Sequence, residues 1–363
     1  MRRMLKIVGV SGLALTAFVF LNNTNLFVSR PPGMPKLLAH RGLAQDFDRT
    51  NLQGDTCTAE RMLPTAHDYL ENTIPSMRAA FELGADVVEI DVHPTTDGQF
   101  AVFHDWTLDC RTEGHGATRD HTMAELKAFD VGYGYTADGG KTHLFRGRGE
   151  GMMPSLDEVL TKFPDRGFLI NVKSGDPEEG ALLGARLATL SPEQRDRLMV
   201  YGDERPLVEL RTRVPEIRTL SKPSIKACLT RYFAYGWTGI VPDACRDKFI
   251  AVPLNVAPWL WGWPNKFLNR MEGVGSRVFV QGDYTGGWST GIDTRQDLAR
   301  LPEGYSGGIL TDRIEVIAPG CAPLTFAAIM SVRLSRGARL WGPMLRVLSP
   351  LRVDRLGLLL VIS

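Results

Sequence analysis

The stretch that decides the fold is "LGADVVEIDVHPTTDGQFAVFHD", Leu83 to Asp105. Its centre, Val87 to Val92, is apolar except for Glu89 and Asp91. Side chains alternate faces along a strand, so Val88, Ile90 and Val92 share one face while Glu89 and Asp91 share the other. Two carboxylates on one face of so apolar a segment must meet water or a positive group, because an unpaired buried charge is costly.

Outward from this strand, short apolar runs alternate with amphipathic ones. Just upstream, "TIPSMRAAFELG" reads as a helix. Asn72 or Thr73 can cap it, Pro75 suits its first turn, and Gly84 follows its end. Ile74, Met77 and Phe81 give it an apolar face. "SLDEVLTKF" and "DPEEGALLGARLATL" read the same way. The spacing predicts strands at "KLLAH", "DVVEIDV", "FAVFH", "FLINVK", "LMVYG", "IRTLS", "TGIVP", "RVFVQG" and "GGILTD". About eight strand–helix units in roughly 280 residues predict a closed (β/α)₈ TIM barrel. An open doubly wound sheet is the alternative, but no glycine fingerprint follows the first strand. A Gly-rich polar segment, about 107–153, is expected to leave the barrel as a small insertion after its second strand.

The barrel is thus expected over 36–320, flanked by 1–35 and a basic extension over 321–363. In the first segment, Arg2, Arg3 and Lys6 precede an uncharged stretch from Ile7 to Leu21, short for a full membrane span. With no small-x-small cleavage site after it, an uncleaved signal anchor is favoured over a cleaved signal. Either predicts an exported body, periplasmic, extracellular or membrane-anchored. Asn22, Asn23, Asn25 and a Pro-Pro-Gly linker set this segment apart from the rest. The extension carries six arginines against one acidic residue, Asp354, and reads either as a membrane-surface segment or as a poorly ordered tail. Export directs attention to the five cysteines. Cys57–Cys110 and Cys228–Cys245 are the natural pairs, with Cys321 left over; five free thiols is the competing reading. With 42 basic and 41 acidic residues the net charge is +1, so no global field points to nucleic acid.

Polar residues at the C-terminal ends of barrel strands line the active site. By that rule His40 and Arg41, Glu89 and Asp91, His104 and Asp105, and Asn171 with Lys173 converge on one pocket. Two carboxylates plus a further oxygen donor suit a hard divalent cation, Mg²⁺ or Ca²⁺, better than zinc. His40 and His104 are then free for proton transfer. Arg41 and Lys173 can hold an anionic substrate, and arginine matches phosphate oxygens. Together these groups describe phosphoryl transfer.

The motifs "AHRG", "ENTIPSMRAAFELGADVVEIDVHPTTDG", "VFHD", "RTEGHG", "PSLDEVL" and "GGILTDR" occur in this order, and the chain resembles the glycerophosphodiester phosphodiesterase family over about 36–318. The resemblance implies a (β/α)₈ barrel and metal-dependent hydrolysis of glycerophosphodiesters to glycerol 3-phosphate and an alcohol. It implies His40 and His104 as the acid–base pair, His40 as base and His104 as acid, acting through a cyclic phosphate. It implies Arg41 and Lys173 as phosphate contacts and Glu89 and Asp91 as metal ligands. The third ligand is usually a glutamate in Glu-x-Lys; here Asn171 stands in "NVK", which removes one negative charge. The segment between Gly42 and Glu71, longer than in compact members and carrying Cys57, is expected to cover the pocket. A lysophospholipase D type activity on single-chain lipids is the second reading, suited to the expected anchor, the basic tail and the aromatic patch at Trp259, Trp261 and Trp263. A non-catalytic phosphodiester-binding barrel is the third, pointed to by Asn171 alone.

Overall fold

The computed structural model describes residues 2–28, 34–53, 56–286 and 290–321, so the basic extension lies outside the described residues apart from Cys321. Nine strands form the sheet: β1 (Lys36–Ala39), β2 (Val87–Pro94), β3 (Phe100–Val102), β4 (Gly167–Val172), β5 (Leu198–Gly202), β6 (Arg218–Leu220), β7 (Phe249–Pro253), β8 (Arg277–Gln281) and β9 (Gly308–Thr311). Eight are parallel in the order β6-β5-β4-β2-β1-β9-β8-β7, and a single parallel bridge, Thr219 to Lys248, spans the gap between the two ends. This is a nearly closed (β/α)₈ barrel.

Two strand assignments differ from the expectation. "FAVFH" does form β3, but it folds back antiparallel on β2, with Val92 opposite Val102, and so stands outside the barrel. The seventh barrel strand is "FIAVP" rather than "TGIVP". Gly239 takes a left-handed φ of 87° and ends a short helical turn, which breaks the extended run there.

The alternation read from the sequence sorts the core into two shells. Val88, Ile90, Val92, Phe168, Ile170 and Val172 pack outward against the helices. Leu38, Val87, Leu169, Met199, Phe249 and Phe279 fill the barrel interior as a separate cluster. Along β1, β2, β4 and β5 the interior face changes from apolar to polar two residues further on, at His40, Glu89, Asn171 and Tyr201. The apolar plug is therefore the floor beneath the polar site.

The helices start where the sequence provides caps. Thr73 accepts from the Ser76 amide at 3.3 Å at the head of Ile74–Glu82, and Ser155 with Glu158 closes a capping box on Leu156–Lys162. The excursion after β3 builds a core of its own from Leu108, Met123, Leu126, Tyr135 and Phe145, shared with Ala59, Met62 and Leu70 from the segment after β1. Disulfides join Cys57 to Cys110 and Cys228 to Cys245, and Cys321 is free. The loops they close, 53 and 17 residues apart in sequence, correspond to about 4 and about 3 kcal/mol in the chain-entropy account.

The N-terminal segment is one helix, Arg2–Asn23, longer than its uncharged stretch suggested. Of it, Arg3–Asn23 is long and apolar enough to cross a membrane and none of it is buried, a property shared by signal sequences.

Candidate active site

The site is built around Asp91, fully buried on the interior face of β2. Four groups point at its carboxylate. Asn72 donates Nδ2–H to Oδ2 at 3.0 Å and Asn171 donates Nδ2–H to Oδ1 at 2.8 Å. Arg41 Nε lies 3.4 Å from Oδ2 and Lys173 Nζ 3.5 Å from Oδ1. Burial alone would raise this carboxyl, but Lys173, His104 and Arg41 hold it well below the usual carboxylate range. Asn171 stands beside Asp91 because β2 and β4 pair in that register.

Glu89, two residues earlier, has the opposite balance. It accepts from Tyr201 Oη at 2.7 Å and from the Arg41 amide at 3.2 Å. Burial and then the neighbouring Asp91 charge push its carboxyl up, against His40 and Arg41. The pair is thus short of positive charge on the Glu89 side.

Arg41 is placed by the backbone. It takes a left-handed φ of 58°, as does Asn72, and the Asn72 amide donates to the Arg41 carbonyl at 3.0 Å. Gly42, at φ 81°, is required as well: a Cβ there would lie 3.0 Å from the Ser76 carbonyl carbon. The turn "HRG" is therefore pinned against the head of the following helix. The Arg41 Nη1 donates to Glu71 Oε1 at 3.0 Å, while its buried Nε makes no hydrogen bond within the described residues.

Each candidate histidine is held by a carboxylate at Nδ1. His40 meets Asp312 Oδ1 at 2.5 Å, and its Nε2 lies 3.7 Å from Glu89. Burial would lower His40, but Glu89 and Asp312 outweigh it and raise the imidazole pKa above its usual value. His104 meets Asp105 Oδ1 at 2.6 Å, and burial followed by the Arg41 charge lowers it. In both, a carboxylate at Nδ1 favours the proton there and leaves Nε2 for other work. A third histidine, His93, also lies on the interior face. Burial and then Lys173 push it down to about 4, which marks it as a neutral, structural ring.

The expected residues are therefore brought together: His40, Arg41, Glu89, Asp91, Asn171 and Lys173 in direct contact, with His104 close enough to feel Arg41, Asp91 and Lys173. Several partners were not read from the sequence. Tyr201 and Asp312 continue the interior faces of β5 and β9, so the period-two rule applied to every strand would have found them. Glu71 and Arg111 carry no such signal. Arg111 is buried and joins Asp105 at 2.9 Å, Glu71 at 3.2 Å and the Thr58 and Tyr135 hydroxyls at 2.5 Å each.

As donors, Glu89, Asp91 and Asn171 offer hard oxygens, and the raised Glu89 carboxyl is what a nearby cation would relieve. The set fits a divalent ion on condition that the Asn171 amide turns its oxygen inward, since it now gives N–H to Asp91. Among the described residues no trio of His, Cys, Asp or Glu is grouped as a metal site.

Residues 40–182 match the model of the glycerophosphoryl diester phosphodiesterase family. A glycerophosphodiester phosphodiesterase of Caldanaerobacter subterraneus subsp. tengcongensis is 42% identical over 107 residues, 29% of this chain and 40% of that protein. One from Bacillus subtilis is 33% identical over 135 residues, 35% of this chain and 45% of that protein. The chain thus spans less than half the length of the curated relatives it matches. In fold, it resembles the glycerophosphoryl diester phosphodiesterase domain of a Mycobacterium tuberculosis protein, with a TM-score of 0.56 and 15% identity over 80% of this chain and 100% of that one. A glycerophosphodiester phosphodiesterase from Agrobacterium tumefaciens gives 0.50 and 22% over 79% and 100%. The segment similar to the glycerophosphoryl diester phosphodiesterase family, 40–182, carries His40 and the strands that hold Glu89, Asp91 and Asn171.

Proposed function

We propose that the protein hydrolyses small glycerophosphodiesters to glycerol 3-phosphate and an alcohol. The observation that carries this reading is the pairing of two carboxylate-held histidines with cationic Arg41 and Lys173 around one buried acidic pair. Arg41 and Lys173, the two cations gathered at Asp91, supply the positive charge that holds the phosphate oxygens. His40, made more basic by Asp312 and Glu89, takes the proton of the glycerol hydroxyl beside the phosphorus. That oxygen bonds to phosphorus, and the bond to the departing alcohol breaks as His104, made more acidic by burial and then by Arg41, gives up its proton. Water then opens the cyclic phosphate with the two roles reversed.

A divalent cation, Mg²⁺ or Ca²⁺, would be held by Glu89, Asp91 and the Asn171 carbonyl, and would supply charge stabilisation to the phosphoryl oxygens. Single-chain lipids are the second substrate reading, favoured by the exposed Trp259 on the loop leading out of β7.

The test is glycerol 3-phosphate release from glycerophosphocholine by the full chain, with Mg²⁺, Ca²⁺ or EDTA. We expect metal-dependent release that falls roughly 10²–10⁴-fold in His40→Ala and in His104→Ala. Release unaffected by either substitution refutes the assignment. Silence on glycerophosphocholine with turnover of a lysolipid selects the second substrate, and ligand binding without turnover of either selects a binding role.

A further inference from the structure

The apolar helix Arg2–Asn23 does not end in a loose tether. Its last carbonyls, which no residue of the helix can satisfy, are capped by the barrel: Lys266 Nζ donates to Leu21 O at 2.6 Å and Asn22 O at 2.8 Å, and Arg270 Nη2 donates to Asn22 O at 2.7 Å. In return Asn25 caps the barrel. Its Oδ1 accepts from the Asn265 and Lys266 amides at 3.1 Å each, the open amides at the head of helix Asn265–Glu272. Its Nδ2 donates to Trp263 O at 2.5 Å. Asn22 and Asn23 both donate to Trp237 O, at 3.0 and 2.8 Å. The three asparagines that look like a polar spacer in the sequence are the joint.

What surrounds the joint is apolar and exposed. Trp237 stacks edge-on against Phe18, 6.4 Å between ring centres, so the barrel reaches along the last turns of the helix. Flanking Trp237 in the chain, Ile240 is 66% and Tyr235 59% exposed, and Trp259, 75% exposed, stands two residues before Trp261, whose Nε1 donates to Phe233 O at 2.9 Å. A helix of 21 residues is about 31 Å long, the thickness of a bilayer's hydrocarbon core. Aromatic rings beside the end of such a helix lie at the depth where Trp and Tyr favour the boundary between lipid and water. Trp259 also belongs to the loop leading out of β7, one of the loops on the barrel's mouth face.

We propose that a lipid bilayer surface is a docking partner of the barrel itself: helix Arg2–Asn23 spans the membrane, and its locked joint beds Trp259, Tyr235 and Ile240 into the lipid interface. The proposal is independent of the reaction assigned above. The barrel is held in one orientation, with the loop out of β7 against the membrane.

The test places nitroxide labels at Ile240→Cys, Trp259→Cys and, as a remote exposed control, Lys141→Cys. Each is made in the full chain with Cys321→Ser and reconstituted in phosphatidylcholine–phosphatidylglycerol vesicles. Collision rates with oxygen, which partitions into lipid, and with a water-soluble nickel chelate report depth. We expect labels at 240 and 259 to favour oxygen and the label at 141 to favour the chelate. In a second set, Asn25→Ala with Lys266→Ala loosens the joint. The 240 and 259 labels should then lose their oxygen preference while the protein stays in the vesicle fraction. Chelate-accessible labels at 240 and 259 in the intact chain, or release of the barrel from the vesicles by cleavage after the helix, overturn the proposal. Labels that stay lipid-exposed once the joint is cut overturn the role of the joint.

Discussion

Replacing Arg111 by methionine removes a buried cation that ties the excursion to the site. The substitution keeps the length of the side chain but removes the charge facing Asp105 Oδ2 at 2.9 Å and Glu71 Oε2 at 3.2 Å. Both carboxylates are buried or nearly so, and breaking a buried pair on one side costs about 3–5 kcal/mol, because the partner charge stays behind uncompensated. At about 2 °C per kcal/mol for a body of this size, the unfolding midpoint at pH 7 should fall by roughly 6–10 °C. The pH dependence gives a second, sharper signature. Burial would raise Glu71 and Asp105, but Arg111 first and other cations after it depress both. In the native protein that depressed state stabilises the fold above the unfolded carboxylate value near ~4 and is lost as pH falls toward the folded values. In Arg111→Met that contribution is gone, and protonating the two stranded carboxylates relieves their burial. The gap between the two proteins should therefore narrow as pH falls from 7 toward 4. Circular dichroism melts at three pH values read this out. A midpoint within 2 °C of the parent at pH 7, where roughly 1 kcal/mol would be the limit, or a gap that does not change with pH, refutes the reasoning.

Asp312→Asn removes one of the two carboxylates that raise His40, so the pH profile of phosphodiester hydrolysis should shift its His40 limb to lower pH, with little change in melting temperature; an unmoved limb means another group titrates there. Asn171→Glu restores a carboxylate beside Asp91, and isothermal titration with Mg²⁺ or Ca²⁺ should show binding at least tenfold tighter, since one added charge at a hard-cation site is worth more than ~1.4 kcal/mol. Unchanged affinity would place the ion elsewhere. Reducing Cys57–Cys110, or Cys57→Ala with Cys110→Ala, should lower stability by up to about 4 kcal/mol and loosen the excursion before the barrel, read by hydrogen exchange at 103–153.

Period-two alternation carried most of what the sequence could tell. It placed Glu89 and Asp91 on the interior face, and the same rule on "FLINVK" put Asn171 and Lys173 beside them. It failed where strand length and a turn competed: "TGIVP" has the right residues but a left-handed Gly239, whereas the five-residue "FIAVP" holds the barrel position. The antiparallel course of β3 was equally hidden, because a strand's partner direction is set by the turn before it, here Thr95 to Gln99, and not by its own pattern. Asn25 and Arg111 were illegible for another reason. Asn25 caps amides 240 residues away, and Arg111, besides the nearby Asp105, reaches Thr58 53 residues back; nothing in the local composition of either segment indicates those matches.

The two histidines depend on different parts of the molecule, and this separates what sets each of them. His40 is oriented by Asp312 at the end of β9, and Asp312 is itself held by Arg49 at 3.1 Å and by its own amide on Asp293 at 2.7 Å. Those contacts belong to barrel closure, since β9 lies next to β1. His104 is oriented by Asp105, and Asp105 by Arg111, which the excursion and the segment after β1 enclose together with Cys57–Cys110. A substitution in the excursion should therefore act on His104 and leave His40 in place. Glu71 is the point where the two halves meet, because it accepts from Arg41 on one side and is ion-paired with Arg111 at 3.2 Å on the other. It is the residue through which a change in the excursion would reach Arg41, and Glu71→Gln should disturb both histidines where Arg111→Met disturbs chiefly His104.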